Sequence, residues 1–115
     1  MAYDFLVPVE DKVLAHNELL PAQALGRHIH IHTVKDGLPV LALASLAIIG
    51  VKESRNAFEK KPEKLDVSGI RLQLYKLMMG NWNSNIVDMG DIEEGESVED
   101  TYFVVKEIVA GLLEE

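Results

Sequence analysis

Cysteine is absent from the 115 residues, which excludes disulfides, thiolate metal sites and a cysteine nucleophile. Nor is there an apolar run approaching the roughly 20 residues of a membrane span, so no membrane partner is expected. Positive charge is scarce: 11 Lys and Arg stand against 19 Asp and Glu, for a net charge of −8. Such a chain repels a phosphate backbone. Its one basic cluster, Lys60 and Lys61 with Lys64 nearby, makes no stripe, and nucleic acid is excluded as a partner. The opening Met-Ala-Tyr-Asp-Phe-Leu-Val-Pro has an early acid and no basic flank before an apolar segment. It does not read as a secretory signal, and the cytoplasm is the expected location.

What is present has the balance of a globular protein, and the length suits one domain with a modest core, or part of one. Residues 1–40 read as an amino-terminal extension of mixed helix and strand. Pro8 to Pro21 predicts a short helix with acids in its first turn, and Pro21 to Leu25 one further turn closed by Gly26. His28-Ile29-His30-Ile31-His32-Thr33-Val34 alternates polar and apolar residues, the pattern of a half-buried strand. Lys35-Asp36-Gly37 is a turn signal, after which Leu38 to Leu43 can return as a strand or a short helix.

Residues 41–115 read as βαβα, the opening of a parallel α/β sheet. Leu46-Ala47-Ile48-Ile49-Gly50-Val51 is a continuous apolar run, as expected of a strand buried on both faces. Lys52 to Asp66 is polar and predicts a long loop. A helix capped by Asp66 or Ser68 follows, with Ile70, Leu74, Leu77 and Met78 as its apolar face, ending at Gly80 and Asn81. Ile86-Val87-Asp88-Met89-Gly90 is a second, less apolar strand, expected parallel to the first and nearer an edge. The acidic run Asp91 to Asp100 does not fit an EF-hand loop and reads as a solvated turn. Ser97 and Asp100 in it predict a capping box for a last helix, with Val98, Tyr102, Val105, Val109 and Leu112 on one side.

Little of this is chemistry. His28, His30 and His32 would point to one face of a strand with neighbours about 6.8 Å apart, so two imidazoles could share a zinc ion. A half-exposed strand with a wet histidine face explains them more simply, and no metal site is expected in the chain. Gly50 is followed by Val51-Lys52-Glu53-Ser54-Arg55 without further glycines, so the dinucleotide fingerprint fails. Glu53, Ser54, Arg55 and Asn56 put an acid, a hydroxyl, a guanidinium and an amide just past a strand end, where open α/β sheets place ligands. No serine lies in a Gly-x-Ser-x-Gly elbow.

Several segments together carry a family likeness. Ala47 to Asn56, Ile70 to Leu77, Gly80-Asn81-Trp82-Asn83, Ile86 to Ile92 and Val98 to Tyr102 resemble the amino-terminal region of the arginase, agmatinase and formimidoylglutamase family, closest to its formimidoylglutamase-like branch. The likeness covers about residues 46–115. Val67-Ser68-Gly69 departs from the Gly-Pro that many relatives carry before the helix. The resemblance implies the start of a three-layer αβα parallel-sheet fold. It also implies a parent enzyme in which two manganese ions activate a hydroxide against linear C–N bonds of guanidino or formimino compounds. The family's ligand motifs, Gly-Gly-x-His, Asp-x-His-x-Asp and Asp-x-Asp-x-x-Asp, do not occur here. The chain is thus expected to be catalytically silent alone, a scaffold truncated before the metal-binding motifs and without a cofactor of its own. Glu53 to Asn56 would lie at the rim of the parent's site. Expected partners are the rest of the parent chain or a second copy meeting an uncovered apolar surface. The alternative is an independent, non-catalytic interaction or oligomerisation module.

Overall fold

The computed structural model describes residues 2–42, 44–52, 67–78 and 85–113. They form a mixed α/β protein with a four-stranded open sheet and three α-helices. The strands are β1 (Leu6–Val7), β2 (His30–Ile31), β3 (Leu46–Val51) and β4 (Ile86–Ile92). The helices are α1 (Asp11–Glu18), α2 (Ser68–Tyr75) and α3 (Val98–Leu113).

β4 is the hub of the sheet. β3 pairs with it in parallel along one edge, from Leu46↔Ile86 to Val51↔Ile92. The other edge is shared by the two short strands: β2 lies parallel at Val87 and Asp88, and β1 antiparallel at Asp91 and Ile92. The less apolar strand, expected near an edge, is therefore central, and every residue of it is buried. The reason lies in the arm. Residues 1–40 contribute two strands that close the second edge, and β1 makes the sheet mixed where a purely parallel one was expected.

Alternation along β3 and β4 sorts the core into two faces. Ile48 and Ile86 pack with Val13 of α1 and with Leu72 and Tyr75 of α2. Ala47, Ile49, Val51, Val87, Met89 and Ile92 face Val104, Val105, Ile108 and Leu112 of α3. Helices thus cover both faces, α1 and α2 on one and α3 on the other.

Local chemistry sets the boundaries. α1 is shorter than Pro8 to Pro21, because Glu10 before it is still extended and the Val9 N–H is donated to the His32 carbonyl at 2.9 Å. A 3-10 turn at Leu25–Arg27 follows it. The turn at Lys35 to Gly37 forms as expected: the Asp36 N–H reaches Thr33 Oγ1 at 2.9 Å, and Gly37 takes a positive φ of 73°. Leu38 to Ala42 form neither strand nor helix. At α3, Ser97 Oγ accepts the Asp100 N–H at 3.2 Å, the serine half of the capping box.

Two helices bury a different stripe from the expected one. In α2, Ser68, Arg71 and Tyr75 are buried while Ile70 is 67% exposed, and Leu77 and Met78 just beyond the helix are also exposed. In α3, Thr101 and Ile108 are buried while Tyr102 and Val109 are exposed. Among the described residues no helix is long and apolar enough to cross a membrane.

Candidate functional site

The residues that α2 turns inward meet the charged residues of β4. Arg71 and Tyr75 are one helical turn apart and so share a face. Asp88 and Asp91 are three apart, which in a regular strand would send them to opposite faces. The strand is not regular: between the pairs Ile48↔Asp88 and Gly50↔Asp91, β4 carries one residue more than β3. This bulge at Met89 and Gly90 returns both carboxylates to the α2 face. Gly90 adopts φ 90°, and a Cβ there would lie 2.1 Å from the Val7 carbonyl oxygen, so geometry and space both require glycine.

One guanidinium binds both acids. Arg71 Nε donates to Asp88 Oδ2 at 2.8 Å and Nη2 to Asp88 Oδ1 at 3.0 Å, a bidentate pair. Its Nη1 donates to Asp91 Oδ1 at 2.6 Å, and Nη2 also reaches the Gly90 carbonyl at 3.2 Å. The Tyr75 hydroxyl donates to Asp88 Oδ2 at 2.5 Å, and the Gly90 N–H to Asp88 Oδ1 at 3.0 Å. Lys52, just past the end of β3, holds its Nζ 3.9 Å from Asp91 Oδ2 and 3.1 Å from Glu93 Oε1. Gly50 makes room for the second acid, since a Cβ there would stand 2.0 Å from Asp91 Oδ1. A further tie joins α2 to the start of α1, where Ser68 Oγ donates to Glu10 Oε1 at 2.9 Å.

These contacts move two titrations. Burial works against the charged guanidinium, but hydrogen bonds and the negative charges of Asp88 and Asp91 outweigh it and raise Arg71 above its ordinary value. Burial, and after it the Asp88 carboxylate, pushes the Tyr75 hydroxyl well above the normal tyrosine range. Arg71 stays charged and Tyr75 stays a donor through the physiological range.

The cluster sits near the carboxyl end of the parallel pair, where α/β sheets bind ligands. Its chemistry, however, is closed. Each Asp88 oxygen takes two hydrogen bonds from the protein, which leaves no lone pair aimed at a metal or a substrate. Arg71 uses all three of its nitrogens on the two acids. The arrangement fixes the bulged strand to the helix, and Asp88 within it suits neither acid–base work nor manganese ligation.

The sequence-predicted candidates do not gather here. His28 is exposed and its Nε2 donates to the Ala22 carbonyl at 2.5 Å. His30 is exposed on β2, and His32 is buried with Nδ1 donating to the Met89 carbonyl at 2.8 Å. The expected strand from His28 to Val34 shrinks to two residues, so the three imidazoles go to three environments and do not share a face. Among the described residues no three His, Asp or Glu side chains are placed to hold a metal ion. Glu53, Ser54, Arg55 and Asn56 lie outside the described residues, as do Gly80 to Asn83. A groove of about 680 Å³ shares no residue with the cluster; Leu14, Ile29, Ile31 and Val40 line it near Asn85, at the start of β4.

Sequence reasoning passed over Arg71, Tyr75 and the two aspartates as a group. A signal existed: a glycine inside a strand pattern marks a bulge, and a bulge between two acids sends both to one side. A scan against protein-family models and searches of curated proteins and of solved structures find no match to this chain.

Proposed function

We propose that this chain is the amino-terminal scaffold of a cytoplasmic binuclear-manganese hydrolase of the arginase, agmatinase and formimidoylglutamase type, acting on linear C–N bonds of guanidino or formimino compounds. The observation that carries the reading is the Arg71–Asp88–Asp91 cluster. It falls on two of the segments that bear the family likeness and spends its charges on architecture, as a scaffold free of catalytic duty would. The parallel pairing of β3 with β4 and the helices on both faces support the start of a three-layer αβα fold. Asp88 does not fit manganese, because Arg71, Tyr75 and the Gly90 N–H occupy both its oxygens, and Asp91 is paired with Arg71 with Lys52 nearby. The two ions of the parent would take ligands from other parts of it, and no step of the reaction is assigned to residues here.

The test is the product of the complete reading frame containing these residues. Purified with manganese, it should hydrolyse arginine, agmatine or formimidoylglutamate, while the 115-residue chain should not. A full product that neither retains manganese nor turns over any of the three would sink the reading.

A second reading rests on its own observation. Tyr102, Phe103, Val109 and Leu113 of α3 are exposed, as are Ile70, Leu77 and Met78 at α2. That much apolar surface suits a module whose work is association, through the rest of a parent chain or a second copy. A single-copy mass for the 115-residue chain across micromolar concentrations in sedimentation would count against self-association.

A further inference from the structure

We propose that the groove where β4 begins binds a small apolar carboxylic acid as its anion, with the carboxylate on Arg27 and the hydrocarbon body along the groove walls. The inference is independent of the hydrolase reading.

The groove has the size and walls of a ligand site. Its volume of about 680 Å³ falls within the roughly 300–1,000 Å³ of small-molecule pockets, which are mostly apolar with a few placed polar groups. Leu14, Ile29, Ile31 and Val87 supply apolar walls, and Val40 stands in the lining with 81% of its surface exposed. A hydrocarbon body laid there takes apolar surface out of water on both sides of the contact.

Arg27 gives the groove its sign. It lines the groove and spends one nitrogen on the protein: Nη1 donates to the carbonyl of Glu18, the last residue of α1, at 2.9 Å. Among the described residues no carboxylate is paired with it, although the chain has 19 acids for 11 basic residues. Arg71 sets the contrast. There Nε and Nη2 grip Asp88 as a fork, and in Arg27 the same two nitrogens have no acceptor among the described residues. That fork matches the two oxygens of a carboxylate.

The turn that carries Arg27 is fixed beforehand. Asn17 Nδ2 donates to the Gly26 carbonyl at 2.8 Å, and the Arg27 N–H to the Ala24 carbonyl at 3.0 Å. Little backbone freedom is left to lose when a ligand arrives. One acid, Asp36, also lines the groove, and no ion pair ties it to Arg27. Its charge opposes an anion, which gives the test a second handle.

Titration of the 115-residue chain with 4-phenylbutyrate, followed by amide chemical shifts, is compared with the neutral 4-phenylbutyramide. The acid should saturate one site, with the largest shifts at Arg27, Ile29, Ile31 and Val87. The amide should bind roughly tenfold more weakly, because the charge-assisted pair is gone. Arg27→Gln, at an exposed position, should weaken the acid by a similar factor and leave the affinity for the amide unchanged. Asp36→Asn, also exposed, should tighten the acid alone. Shifts that never saturate, equal affinity for acid and amide, or equal affinity for the acid in wild type and Arg27→Gln would each overturn the proposal. So would shifts centred on the exposed apolar residues of α3, the mark of unspecific adsorption. Absence of manganese-dependent hydrolysis in the full reading-frame product would remove the hydrolase reading and leave these outcomes as they are.

Discussion

β3 and β4 are paired along their length, yet they are held by different means. β3 carries no charge, its first residue Leu46 is 49% exposed, and its other residues are only half-buried. β4 carries two carboxylates and is buried throughout, with Asp88 at 0% exposure. β3 is kept in place by apolar contact with helices on both faces and, among the described residues, by one neighbouring strand. β4 is kept by neighbours on both edges and by a guanidinium that reaches it from α2. The contrast shows that charge in a strand does not consign it to an edge: a carboxylate enters the centre when its hydrogen-bonding capacity is filled from both sides.

Substitutions that break the contrast should have graded effects. Arg71→Met, the largest, leaves Asp88 and Asp91 buried with Lys52 the one cation near either among the described residues. We expect a loss of roughly 3–5 kcal/mol, visible as loss of the cooperative transition in urea; a midpoint close to wild type would show that the cluster does not hold β4. Gly50→Ala should cost about 1–3 kcal/mol, since its Cβ would stand 2.0 Å from Asp91 Oδ1, and Asp91→Ala in the same chain should return part of that loss. Tyr75→Phe removes one hydrogen bond to a carboxylate, about 1–3 kcal/mol at neutral pH. It should also change the alkaline limb. Tyr75 is raised in the folded state, so its contribution is whole below the unfolded value near 10 and is lost as pH rises above it. Wild type should therefore lose stability above about pH 10 more steeply than the phenylalanine variant in pH-dependent denaturation. The smallest effect belongs to Ile70→Ser, within about 0.5 kcal/mol because the side chain is exposed; a multi-kilocalorie loss would mean that the apolar stripe of α2 is the buried one after all.

That stripe marks where sequence reasoning stops. The long elements were legible: an apolar run of six, a strand signal at Ile86 and a capped final helix each carry a local pattern strong enough to read. β1 was not, because two residues cannot show a period; β2 was read in the alternation from His28 to Val34, though it spans only His30 and Ile31, and the place of both is set by the free edge of β4. The orientation of α2 was misread for an energetic reason. Leaving Ile70 in water forgoes roughly 1.5–3 kcal/mol of burial, whereas leaving Asp88 and Asp91 buried without Arg71 costs more than that. Periodicity counts the first quantity and is blind to the second. The cluster was legible only in fragments, as a glycine within a strand and two acids three apart. Their convergence depends on one additional residue in β4 relative to β3, which appears only when the two strands are laid in register.

The bulge at Met89 and Gly90 has a consequence for how this protein can vary. Glycine at 90 is required by the Val7 carbonyl, glycine at 50 by the Asp91 carboxylate, and Asp91 faces α2 only because of the bulge. Positions 50, 90 and 91 are therefore coupled through the bulge: a change that removes it frees both glycines and turns Asp91 away from α2, while Asp88, which pairs before the bulge, still holds Arg71.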